Sequence, residues 1–103
     1  MEIKINNTIL EFDPFELDNA KKFQKEVNKI IALCNSLKDE NDYVKSIKTQ
    51  CSAIFSFIDN IFGEGKHLDI FGESVNLKTC LKVFHQIMDS IRTEQVDLHQ
   101  LVE

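Results

Sequence analysis

Lys38-Asp39-Glu40-Asn41-Asp42 is the stretch on which the fold of this 103-residue chain turns. It lies within 44 residues, Asn19 to Phe62, that hold neither Gly nor Pro. Upstream of it, Ala20, Phe23, Val27, Ile30, Ile31, Cys34 and Leu37 recur at spacings of three and four, the period of an amphipathic helix. Downstream, Tyr43, Val44, Ile47, Cys51, Ile54, Phe55, Ile58, Ile61 and Phe62 repeat the pattern until Gly63 supplies a stop. The two stripes are nearly in phase, so one bent helix of about 66 Å would also satisfy the period. Five consecutive polar residues would interrupt its buried seam, and the acids at 39, 40 and 42 suit a helix N-terminus. The expected arrangement is a helical hairpin with helices over 19–38 and 42–62; one long bent helix is the alternative.

Working outward, residues 2–12 place two apolar runs around Asn6-Asn7, a pair that tolerates the positive φ of a type I′ turn. With those two as the loop, Ile5 opposes Thr8, Ile3 opposes Leu10 and Met1 opposes Phe12, forming one apolar face. Lys4 opposes Ile9 and Glu2 opposes Glu11 on the other. Asp13 to Asp18 turns the chain, with Asp18 as the expected helix N-cap. After Gly63-Glu64-Gly65, His67 to Phe71 allows one helical turn ending at Gly72. Asn76 then caps a last helix, over 77–100, carrying Leu77, Cys80, Leu81, Phe84, Ile87, Met88 and Ile91, with Leu98 and Leu101 extending the stripe. The fold class is mainly α (α+β): a single domain over 1–103, an N-terminal β-hairpin over 1–12 and three main helices.

Composition narrows the function. A formal charge of −5 and a single Arg, Arg92, argue against direct phosphate-backbone binding, which needs clustered Lys and Arg. Charge is uneven: residues 1–18 sum to −4 and residues 19–38 to +4, a pairing that favours self-association or electrostatic docking of a partner. No run of apolar residues is long enough for a membrane span. The start lacks a signal-peptide pattern, and Cys34, Cys51 and Cys80 form no CxxC, so reduced thiols in the cytoplasm are expected.

Chemical motifs are sparse. Gly63-Glu64-Gly65-Lys66 lacks the spacing, the Ser or Thr, and the preceding strand of a phosphate loop. The three Cys sit on the apolar stripes of different helices, where buried packing is expected, and His67, His85 and His99 are scattered, so no metal site is expected. Cys80 and His85 are five residues apart, about 140° around a helix, and point away from each other. No catalytic set and no cofactor site emerge.

The eight phenylalanines carry more information. Phe23, Phe55, Phe62 and Phe84 fit the inward stripes. Phe57 lies off its stripe, as do Leu33 and Val83, and Phe15 and Phe71 fall in connections beside Leu17 and Ile70. Either these residues cap the core or they form an exposed patch that binds protein. Phe15, Leu17, Phe57, Ile70 and Phe71 are the candidate partner-binding residues, with the hairpin edge open to strand addition.

Ile5 through Phe15 with Asp18-Asn19-Ala20, Cys51 through Gly65, Ile70-Phe71-Gly72 and Asn76-Leu77 resemble a family of small phage and prophage proteins of unknown function from Gram-positive hosts. Such proteins look like virion-morphogenesis products and by size and acidity are similar to tail assembly chaperones. The resemblance lends no active residues. It implies a non-enzymatic protein of the bacterial host cytoplasm acting by protein–protein contacts in tail or virion assembly, on a phage structural protein or a host protein. The alternative is a phage-encoded acidic inhibitor of a host defence or nucleic-acid enzyme, imitating the charge of DNA.

Overall fold

The computed structural model describes the backbone of residues 1–102 and the side chains of residues 1–94. Strands β1 (Glu2–Ile5) and β2 (Thr8–Glu11) form an antiparallel hairpin, followed by α1 (Leu17–Ser36), α2 (Tyr43–Phe62), α3 (Lys66–Phe71) and α4 (Leu77–Val102). Leu98 and Leu101, read above as extending the last stripe, have side chains outside the described residues.

The hairpin has the register that its apolar alternation requires: Glu2 with Glu11, Ile3 with Leu10, Lys4 with Ile9, Ile5 with Thr8. Met1 and Phe12 extend it, because the Phe12 N–H donates to the Met1 carbonyl at 3.0 Å and the N-terminal ammonium donates to the Phe12 carbonyl at 2.8 Å. Of the two loop residues only Asn6 adopts a positive φ, 55°, so the turn departs from type I′, which needs both. Ile3, Ile5, Leu10 and Phe12 are buried beneath it. A lone hairpin is marginal in water, and here it gains stability from the helices it covers.

The chain enters α1 two residues earlier than its N-cap reading placed it. Asp13, not Asp18, organises the turn: its carboxylate accepts from the Phe15 N–H at 3.0 Å and its carbonyl from the Asn19 amide at 3.1 Å. Glu16 occupies the N-cap position and Asp18 lies in the first turn, where its charge faces the free amides.

Between α1 and α2 the chain breaks into a capped connection, so the middle is a hairpin of two helices rather than one long rod. Glu40 accepts from the Asp42 N–H at 3.1 Å and pairs with Lys45 at 3.3 Å. Asp42 caps α2 through the Lys45 N–H at 3.0 Å. The Leu37 and Lys38 N–H groups donate to the last carbonyls of α1, and the acids of the polar run that would have interrupted a buried seam supply the acceptors that start α2. Gly63, at φ 127°, ends α2, and Asn76 caps α4 through the Thr79 N–H at 3.0 Å.

α2 is the central element: α1, α3 and α4 all pack on it, and the hairpin closes against α4 through β1. Phe57 lies at the middle, its ring 6.2 Å from Phe23 of α1 and 5.1 Å from Phe84 of α4. This corrects the sequence reading of Phe57 as a surplus ring, since it is 1% exposed. A helix with neighbours on several sides buries a wider arc than one stripe, so an off-stripe residue becomes core. Val83 is buried as well, on α4, a helix that packs against both α2 and β1. Ile70 is also buried, as α3 turns it toward the core cluster.

The opposite correction applies at the hairpin tip. Ile31, Cys34, Tyr43 and Val44 were expected inward and are exposed, Tyr43 by 80%. α1 and α4 each pack on α2 but make no comparable contact with each other. Apolar residues that face the space between them therefore stay open to water.

Candidate functional site

The space between α1 and α4 is an apolar groove of about 270 Å³. Its floor is Gln50, Ala53 and Ile54 of α2. One wall is Ile30, Ile31, Leu33, Cys34 and Asn35 of α1, and the other is Leu81, Phe84 and His85 of α4. A cavity of about 150 Å³ holds a benzene ring, so this groove has room for an aromatic side chain and part of a second apolar one. Its polar groups are few: Gln50 donates its amide to the Ser46 hydroxyl at 3.0 Å, which leaves the amide oxygen as an acceptor at the floor.

The floor continues beyond the walls. Tyr43, Ile47, Gln50 and Ile54 follow one another at spacings of four, three and four along α2, so they share a face. α4 is positioned by Phe57 against Phe84 and by Cys51 against Cys80, contacts that advance together along both helices. It therefore runs roughly parallel to α2 and starts level with the second turn of it. Tyr43 and Val44 lie before that start.

Of the residues singled out from sequence as partner contacts, the structure divides the five. Phe15 and Leu17 are 53% and 64% exposed, on the turn and first residue of α1. Phe71 is half-buried against Phe55, ring centroids 5.3 Å apart. Phe57 and Ile70 are interior and present nothing to a partner. The groove residues Ile31, Cys34 and Leu81 were absent from that set because their stripe positions read as core. A stripe gives the direction of Ile31 and Cys34 on α1, and whether α4 closes over them depends on how far apart the two helices pack on α2.

The thiols differ sharply. Cys34 is exposed at the groove wall, whereas Cys51 and Cys80 are buried side by side between α2 and α4. Burial, reinforced by the hydrogen bond and charge of Cys51, pushes the Cys80 thiol up to about 12. It stays protonated at neutral pH and acts as packing.

One acid–base pair escaped the sequence reading. Asp59, near the end of α2, accepts from the His67 N–H at 3.0 Å through one carboxylate oxygen and meets the His67 Nδ1 at 2.8 Å through the other. The imidazole stacks on Phe55 at 4.7 Å. Burial pushes the Asp59 carboxyl up, but hydrogen bonds from the His67 backbone and ring and from the Gly65 backbone outweigh it, leaving it below its ordinary 3.8. No hydroxyl or thiol bonds to the His67 ring among the described residues. The pair's evident work is structural: Gly65, the N-cap residue of α3, has no side chain, and Asp59 caps that helix from across the turn.

Other surfaces are shallower. A hollow of about 490 Å³ beside Met1, Glu2, Glu11 and Asp13 is open and carboxylate-lined, and Lys21, Lys25 and Lys29 form a solvated face of α1. Among the described residues there is no cluster of three potential metal ligands, and no helix is long and apolar enough to cross a membrane.

Comparison with known proteins returns a family model described as a family of unknown function (DUF6673), matching residues 6–103. No curated protein and no solved structure matches the chain.

Proposed function

The chain belongs to DUF6673, a family of unknown function, and from its surface we propose that it is a non-enzymatic binding protein whose α1/α2/α4 groove captures an apolar, acid-flanked segment of another protein. The observation that carries this reading is the groove itself, mostly apolar along floor and walls, with exposed Ile31 and Cys34 in one wall. Exposed Lys78 and Lys82 lie on α4 and exposed Lys38 just past the end of α1, so the rim favours an acidic neighbour although the chain as a whole is acidic. An amphipathic helix with apolar anchors three and four residues apart suits such a groove.

The finer proposal is that the captured segment belongs to a phage tail or virion structural protein, held until polymerisation displaces the chaperone-like chain. It draws on the size, acidity and short-motif resemblance described from the sequence. The acidic inhibitor of a host defence or nucleic-acid enzyme is the competing proposal, and it would bind through the carboxylates of residues 1–18 instead.

The test uses the exposed thiol. A photo-crosslinker attached to Cys34 should capture amphipathic peptides with Asp or Glu flanks, and capture should fall at least tenfold with Lys flanks or in Ile31→Glu. Crosslinking that ignores Ile31→Glu refutes the groove as the site. In induced host cells, the same probe should label a virion structural protein. Labelling of a nuclease or defence enzyme would support the inhibitor instead.

A further inference from the structure

The chain itself carries one segment of the chemistry that the groove favours. Asp13-Pro14-Phe15-Glu16-Leu17-Asp18 holds three acids and no base, all three acids exposed, with Phe15 and Leu17 projecting among them. The segment is held in one shape before any partner arrives. Pro14 is buried, and Asp13 binds the Phe15 N–H through its side chain and the Glu16 N–H and Asn19 amide through its carbonyl. Little ordering entropy remains to be lost when such a knob docks.

From this complementarity we infer that the groove receives Phe15 and Leu17 of a second copy of the same chain. Two observations make the contact intermolecular and directional. Leu17 and Ile31 lie on the same straight helix, α1, about 21 Å apart along its axis, so the knob cannot reach its own groove. Knob and groove are also different surfaces. The contact is therefore head-to-tail and repeats until a ring closes or a filament grows, rather than stopping at a two-fold dimer.

The charges agree in sign. Asp13, Glu16 and Asp18 surround the knob, while Lys38, just past the end of α1, and Lys78 and Lys82 on α4 flank the groove without an ion pair among the described residues. Asp39 and Asp89 lie on the same two flanks and temper this field without reversing it. The volume agrees as well, since the groove exceeds the space a benzene-sized ring occupies.

The inference uses the groove of the proposed function but needs no client, so the two fail separately. Light scattering on the full chain should give a mass that rises between about 10 µM and about 1 mM. The self-association should weaken at least threefold from about 50 mM to about 500 mM salt. Phe15→Ser with Leu17→Ser removes the knob, Ile31→Glu blocks the groove, and each variant alone should stay monomeric with an unchanged circular dichroism spectrum. Mixed in equal amounts they should form a dimer and nothing larger, because one intact knob meets one intact groove. A wild-type chain monomeric throughout overturns the inference, as does a mixture that fails to pair. If either knockout misfolds, Glu16→Lys with Asp18→Lys and Lys78→Glu with Lys82→Glu repeat the complementation by charge. Pairing of those two variants sustains the inference, and its absence overturns it. A monomer that still crosslinks acid-flanked peptides through Cys34 would leave the proposed function standing.

Discussion

Phe57 and Ile31 are large apolar residues on two helices of one hairpin, and the sequence pattern ranks them in the wrong order. Ile31 sits on the apolar stripe of α1 yet is 52% exposed, whereas Phe57 sits off the stripe of α2 and is enclosed. The difference is one of neighbours. Around Phe57 the chain supplies rings from α1 and α4; beside Ile31 a groove separates α1 from α4. Local periodicity says which way a side chain faces relative to its own helix, and the number of packed elements says whether that direction is wet. The sealed half maintains the fold, and the open half is free to bind.

Phe57→Ala should break the sealed half most severely. Loss of a buried ring costs about 3–5 kcal/mol, a large share of the stability of a domain this small. Thermal unfolding should shift down by at least about 12 °C, at roughly 4 °C or more per kcal/mol. Ile31→Ala should move the transition by no more than a few degrees, within the roughly ±0.5 kcal/mol of surface changes. Equal losses at both positions would mean that the groove is closed in solution.

Asp59 sharpens the comparison from within the sealed half. Asp59→Ala leaves the first turn of α3 without its cap and the His67 ring without its partner, a loss of about 1–2 kcal/mol in chemical denaturation. The pH dependence has a definite sign. The folded carboxyl lies below its ordinary 3.8, so its stabilisation is present above that value and is lost as pH falls through the folded value. Acid unfolding of the wild type should therefore be steeper below about pH 4 than that of Asp59→Ala. Parallel curves would remove Asp59 from this role.

Thiol reactivity compares the two halves without mutation. Under native conditions one equivalent of a maleimide should react, at Cys34, while Cys51 and Cys80 wait for unfolding. Rapid reaction of two or three thiols would contradict the enclosure of the α2/α4 seam.

How much of this was legible follows from what each feature depends on. The hairpin register could be read because alternation and a two-residue loop fix it locally, and Gly63, Asp42 and Asn76 end or cap their helices by short-range chemistry. Asp18 was misplaced because Asp13, five residues earlier, holds the turn through Phe15 and Asn19. The Asp59–His67 pair joins two elements across a glycine turn at a spacing of eight, which no helical period singles out. The groove was invisible for a different reason. It exists because α1 and α4 both pack on α2 without closing on each other, and the period of a single helix does not report the distance between two others.

The smallest effect tests the part of the sealed half that was read most accurately. Glu2 and Glu11 face each other across the hairpin, and both are exposed. The bonds between Met1 and Phe12 make that neighbouring pair hydrogen-bonded, so Glu2 and Glu11 form the closer, non-hydrogen-bonded kind of pair. Like charges directly opposed are unfavourable, and Glu11→Lys would turn repulsion into attraction for a gain of about 0.2–1 kcal/mol. The gain should appear as a higher denaturant midpoint with an unchanged slope, and it should shrink in high salt, since both side chains lie in water. A salt-independent gain would point to strand propensity instead of charge, and no gain would place the two carboxylates farther apart than this register sets them.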